Sequence, residues 1–90
     1  MDSVVFHRIS KALADPRRFA ILERIATAPE TPCQSLSTEF PVSKATLSHH
    51  MQELETSGLV TVRREGKFAY LTLQKKVWRE YHRELKKRLG

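Results

Sequence analysis

Cysteine is nearly absent from this chain: Cys33 is the only one in 90 residues. No disulfide can form within the chain, which fits a reducing cytosol and predicts a cytoplasmic protein. Long apolar runs are missing too. Nothing approaches the ~20 residues that a membrane-spanning helix needs. The opening MDSVVFHRIS has polar residues where a secretory leader would be unbroken and apolar. No membrane partner is expected. Glycine is scarce, with three residues, and none forms a phosphate-cradling loop. There is no nucleophile–base pair or carboxylate pair suited to a pocket, and a chain this short leaves little room for a cleft. An enzyme is not expected, and no cofactor is implied. Internal repeats and low-complexity linkers are also absent.

Positive charge, by contrast, is abundant. The net charge is +6, which on one small domain spanning 1–90 suggests a polyanionic partner, most often nucleic acid. A chain of this size buries only roughly 60–65% of its extendable surface. A partner chain that covers more apolar surface would therefore help its stability.

Turn and cap residues divide the chain into elements. Val5, Ile9, Ala12 and Leu13 recur at helical spacing, predicting a helix over 3–14. Asp15-Pro16 ends it and caps the next, which runs to about Ala28 with Phe19, Leu22, Ile25 and Ala26 facing inward. Thr31-Pro32-Cys33-Gln34 reads as a capping box opening a short helix to about Glu39, with Leu36 facing inward. Phe40-Pro41-Val42 is a turn. Ser43 caps a fourth helix whose inner stripe is Leu47, Met51 and Leu54, with Val42 able to staple onto Leu47. Gly58 supplies a left-handed stop. The period then switches from 3.6 to 2, predicting two strands around Glu65-Gly66-Lys67. A last helix over 75–89 aligns Trp78, Tyr81, Leu85 and Leu89 on one face. The expected fold is mainly α with a β-hairpin. Four helices come first, then two strands, then a fifth helix, with a helix-turn-helix over 32–57 and a wing over 59–73.

Three segments, KALADPRRFAILERIA (11–26), SKATLSHHMQELETSGLV (43–60) and RREGKFAYLTL (63–73), resemble the ArsR/SmtB-type winged helix-turn-helix repressors of bacteria. In this order and spacing the likeness covers nearly the whole chain. It implies a homodimer that binds double-stranded operator DNA and represses. It also implies that the terminal helices, 3–14 and 75–89, form the dimer interface. Val5, Ile9, Trp78, Tyr81, Leu85 and Leu89 are then the expected interface residues.

The expected DNA contacts follow from chemistry. Ser43, Lys44, Thr46, Ser48, His49 and Gln52 lie opposite the inner stripe of the fourth helix. Short hydroxyls and a helix N-terminus suit phosphates and base edges, and Gln52 suits adenine. Arg63, Arg64 and Lys67 on the wing suit flanking phosphates or the minor groove. Arg17 and Arg18 start a helix, where positive charge opposes the dipole; a phosphate near Arg18 would offset that cost.

An effector is harder to find. Aligned through the recognition helix, Pro32 and Gln34 stand where the family's soft-metal sensors carry a Cys-x-Cys pair, and Cys33 is out of register. The zinc-type set on the last helix is reduced to His82 with Glu80 and Glu84 nearby, and His7 is the other candidate ligand. No metal site is assigned. Two alternatives stay open. One is a metal- or redox-responsive repressor with a non-standard site, in which Cys33 has a thiolate favoured by a helix N-terminus. The other is a winged helix used for protein–protein assembly.

Overall fold

The computed structural model describes residues 1–90. The caps set most of the helix boundaries. α1 (Ser3–Ala14) starts where the Asp2 carboxylate accepts from the Val5 N–H. α2 (Pro16–Ile25) starts where Asp15 accepts from the Arg18 N–H at 2.8 Å, with proline at the first position. It stops at Ile25, three residues short of the expected end. α4 (Lys44–Thr56) is capped by Ser43, whose Oγ accepts from the Thr46 N–H. Gly58, at φ +84°, closes that helix, and its N–H donates to the Glu55 carbonyl.

The capping box expected at Thr31 does not form. Thr31 and Pro32 make a two-residue strand, β1 (Thr31–Pro32), and Pro32 caps α3 (Cys33–Glu39) with no side-chain bond. Thr31 is fully buried, and its Oγ1 accepts from Arg24 Nη1. The threonine is used by a sheet rather than by a helix end.

That sheet is antiparallel, with order β1-β3-β2, where β2 is Val60–Glu65 and β3 is Phe68–Leu73. β2 and β3 pair from Val60↔Leu73 to Glu65↔Phe68, and β1 joins the outer edge of β3 through Thr31↔Leu71 and Pro32↔Tyr70. Glu65 and Phe68 flank a two-residue turn with Gly66 first, at φ +60°. That geometry suits glycine in a tight hairpin. α5 (Lys75–Leu89) follows directly.

The core draws on nearly every element. Ile9, Ala12, Ile21, Leu22, Ile25, Leu36, Leu47, Leu54, Leu59, Val60 and Leu71 form one buried cluster. Each large aliphatic side chain in it is worth about 1.5–3 kcal/mol of burial. α5 contributes no buried residue. It rests on α1 through Tyr81, which stacks on Phe6 at 5.1 Å and shares a 2.9 Å hydrogen bond with Ser10 Oγ. Arg88 adds a cation–π contact over Phe6 at 4.1 Å. The result is a winged helix-turn-helix in which the wing sheet also holds the start of α3. No helix is long and apolar enough to cross a membrane.

Candidate nucleic-acid interface

The sequence of α4 divides it into two sides. Leu47, His50 and Leu54 are buried, and Met51 is half-buried. Ser43, Lys44, Thr46, Ser48, His49 and Gln52 are all exposed. Ser43 is partly committed, since its hydroxyl caps Thr46 and also bonds Thr46 Oγ1 at 2.9 Å. Lys44, Ser48, His49 and Gln52 make no protein hydrogen bond through their side chains, and Thr46 bonds only Ser43. The first two turns thus present a slim row of free donors and acceptors.

Between the start of α4, α3 and the wing lies an open cleft of about 660 Å³. Lys44 and Ser48 line one side, Lys67 and Tyr70 the other, and Gln34 and Ser37 of α3 the floor. Gln34, Ser37 and Tyr70 were not among the residues expected on the DNA-binding side. The β1–β3 pairing holds the start of α3 against the wing strand, and nothing in the local sequence signals a two-residue strand.

The wing arginines are less free than their charge suggested. Arg63 forks onto Glu30 at 2.9 and 3.0 Å, bonds Glu65 at 2.6 Å, and stacks over Tyr70 at 4.4 Å. Those carboxylates hold its pKa above the ordinary arginine value, and Arg63 in turn holds Glu30 below the usual carboxylate range. A phosphate would have to compete with both carboxylates, so Arg63 fits the role of wing brace. Arg64 reaches Glu55 at 3.6 Å. Lys67 pairs with no carboxylate and lies 5.7 Å from the Phe68 ring centroid.

Arg18 is the clearest correction. It was expected to meet a phosphate, but it is 7% exposed. Its Nε donates to the Ala12 carbonyl at 2.7 Å, its Nη2 to the Lys11 carbonyl at 3.1 Å, and its Nη1 lies 3.3 Å from His50 Nδ1. The guanidinium ties the end of α1 to the middle of α4 and cannot reach DNA. Arginine can only donate, so His50 Nδ1 accepts and the ring is neutral.

Burial pushes the His50 pKa below its ordinary 6.5, and nearby Asp15 opposes that only in part. As pH falls the unfolded chain takes up this proton first. Stability owed to neutral His50 is therefore complete above about pH 6.5 and is lost progressively below it. Urea midpoints at about pH 7.5 and 5.5 should differ more for the native chain than for His50→Gln. An equal difference in the two would remove His50 from this role.

Away from the residues that line the cleft, Phe19 and Trp78, each 43% exposed, face an apolar groove of about 420 Å³ between α2 and α5. Leu13, Leu22, Tyr81 and Leu85 also line it. Phe19 and Ala26 were expected in the core, but Ile21, Leu22 and Ile25 take that side of α2 with Arg18. Among the expected interface residues, Ile9 is fully buried within its own protomer and is unavailable to a partner. Tyr81 is engaged with Phe6 and Ser10. Val5 is half-buried against the core, Leu85 is half-buried, and Trp78 and Leu89 are exposed.

The candidate effector groups are dispersed. His7 packs edge-on to Phe6, His82 lies beside Trp78, and Glu84 binds Arg88 at 3.0 Å. Cys33 donates to Met51 Sδ at 3.3 Å, and burial raises its pKa, so its thiolate is disfavoured despite its place at the start of α3.

Comparison with known proteins agrees with this geometry. A model of the helix-turn-helix domain family matches residues 13–63. The arsenical resistance operon repressor of Staphylococcus xylosus is 41% identical over 58 residues, 64% of this chain and 55% of that protein. The transcriptional repressor SdpR of Bacillus subtilis is 30% identical over 67 residues, 74% of this chain and 73% of that one. This chain thus spans about half the length of the staphylococcal relative and most of the Bacillus one. Among solved structures, the homodimeric winged helix-turn-helix DNA-binding domain of a possible ArsR-family regulator from Mycobacterium bovis superposes with a TM-score of 0.74. It is 33% identical, and the match covers 87% of this chain and 72% of that one. Fold, family model and relatives together place this chain in the ArsR-type winged helix-turn-helix family.

Proposed function

We propose that this chain is a cytoplasmic, homodimeric, sequence-specific DNA-binding regulator that represses transcription. The helix-turn-helix of residues 32–57 and the wing of 59–73 form the reader, and α1 and α5 form the dimer face. The carrying observation is the exposed polar row on α4, with its apolar side buried and a cleft toward the wing. Lys44, Thr46, Ser48, His49 and Gln52 meet base edges and phosphates, with Ser43 as cap and phosphate donor. Lys67 and Arg64 meet flanking backbone. Two relatives support the reading: one is a repressor by name, and one solved domain is described as homodimeric and DNA-binding. A dimer reads a pseudo-palindrome whose half-sites lie about 10 bp apart or a multiple of that. Neither of the family's metal-ligand sets is carried by these residues, so the reading includes no metal response.

The test is a salt titration of binding to the chain's own promoter DNA. Affinity should fall by roughly 10³-fold or more between about 50 and 200 mM salt if six or more phosphates are engaged. A flat titration, or equal affinity for scrambled DNA, would overturn the proposal. His49→Ala should weaken promoter binding by about 1–3 kcal/mol, the worth of a base contact. Its melting temperature should stay unchanged, because His49 is exposed.

A further inference from the structure

α5 carries a second stripe besides its apolar one. At about 100° per residue, Lys75, Lys86, Arg79, Arg83, Lys76 and Lys87 fall in that order within about 120° of the helix circumference. No other α5 residue falls in that arc. All six are exposed, and none is paired with a carboxylate. The helix's own carboxylates lie outside it, with Glu80 at its edge and Glu84 taken by Arg88 and the N-terminal amine. The stripe runs for about 18 Å along the axis, at 1.5 Å per residue.

Charge elsewhere is distributed in a way that the reader alone does not explain. Residues 43–67, which hold α4 and most of the wing, contain four basic and three acidic residues. Two of those four, Arg63 and Arg64, are paired. α5 contains seven basic and two acidic residues. α5 packs chiefly on α1, and it starts at the end of β3 remote from the wing tip, about 20 Å away at 3.3 Å per residue.

We propose that the α5 stripe is a second, sequence-independent DNA site, which binds the phosphate backbone of a duplex separate from the one read by α4. One dimer then bridges two DNA segments. This rests on the DNA-binding function proposed above. Duplex DNA carries one charge per about 3.4 Å on each strand, so a stripe of this length runs beside about five phosphates of the near strand, enough to engage most of the six cations. A bilayer is a poorer match. A helix lying in a membrane surface needs an apolar face beneath its cations, and the arc contains none. The apolar stripe of Trp78, Leu85 and Leu89 is the face assigned to the second protomer.

The experiment uses the full chain bound to bead-held promoter DNA, washed, then offered a fluorescent duplex of scrambled sequence. The native dimer should capture the second duplex, with affinity falling roughly 10²-fold between about 50 and 200 mM salt if four phosphates are engaged. The variant Arg79→Gln/Arg83→Gln/Lys86→Gln/Lys87→Gln should capture it at least about tenfold more weakly. It should keep its dimer mass in light scattering and its promoter affinity to within about twofold. No capture by the native dimer, or equal capture by the variant, overturns the proposal. So does joint loss of capture and promoter binding, which would put the stripe on the first duplex. Preference for phosphatidylserine vesicles over duplex also overturns it. If promoter and scrambled DNA bind alike, the reader function fails, while direct binding of scrambled duplex to native and variant chains still tests the stripe.

Discussion

Replacing Arg18 with methionine lowers the melting temperature by about 10–20 °C. The side chain is buried and donates to two carbonyls in the last turn of α1, which have no partner within their own helix. Methionine fills similar volume and donates nothing. Hydrogen bonds from a charged donor are worth about 1.5–3 kcal/mol each, and part of that offsets the cost of burying the guanidinium. A net loss of about 2–3 kcal/mol follows, and in a domain of this size each kcal/mol moves the midpoint by about 4–8 °C. Lysine should rescue little, because a single ammonium cannot span Ala12, Lys11 and His50 at once. The comparison is made at one protein concentration, since a dimer's midpoint depends on it. A shift below about 3 °C would show that the carbonyls find other partners.

Trp78→Glu combined with Leu85→Glu should turn the dimer into monomers in light scattering, with helical circular dichroism retained. Trp78 is 43% exposed and Leu85 is half-buried beside it on the same stripe. An ionised carboxylate cannot be desolvated there without a partner. Promoter affinity should drop by about 10²–10⁴-fold, the gain expected from joining two reading heads. Tyr81 is a poorer probe than its place on the stripe suggests. Its ring and hydroxyl are already used against Phe6 and Ser10, so changing it would unseat α5 as well. A dimer that survives the double change has its interface elsewhere.

Much of the fold was legible because local chemistry and tertiary structure agree. Asp15-Pro16, Ser43 and Gly58 each do in the fold what their residue types favour in isolation. The departures occur where a distant partner overrides a local preference. Thr31 has the form of a cap, yet a sheet pairing with Leu71 claims it. Arg18 has the chemistry of a phosphate ligand, yet carbonyls six and seven residues earlier satisfy it. Phe19 is apolar enough for the core, but at 100° per residue Ile21, Leu22 and Ile25 already fill that side of α2. The exposed polar row on α4 was legible from its spacing against Leu47 and Leu54, which are buried. The cleft beside it was not, because it depends on a contact between segments nearly forty residues apart.

That contact, Thr31 and Pro32 against β3, has a mechanical consequence. Two backbone pairings join α3 to the strand that carries the wing, and Thr31 and Leu71 at the seam are both fully buried. A hinge there would expose both residues and break the pairing together. α3 and the wing therefore keep a fixed separation, like two prongs cast on one handle. With α1 and α5 as the dimer face proposed above, a protomer built this way would change how it meets a duplex only by turning as a whole about those two helices.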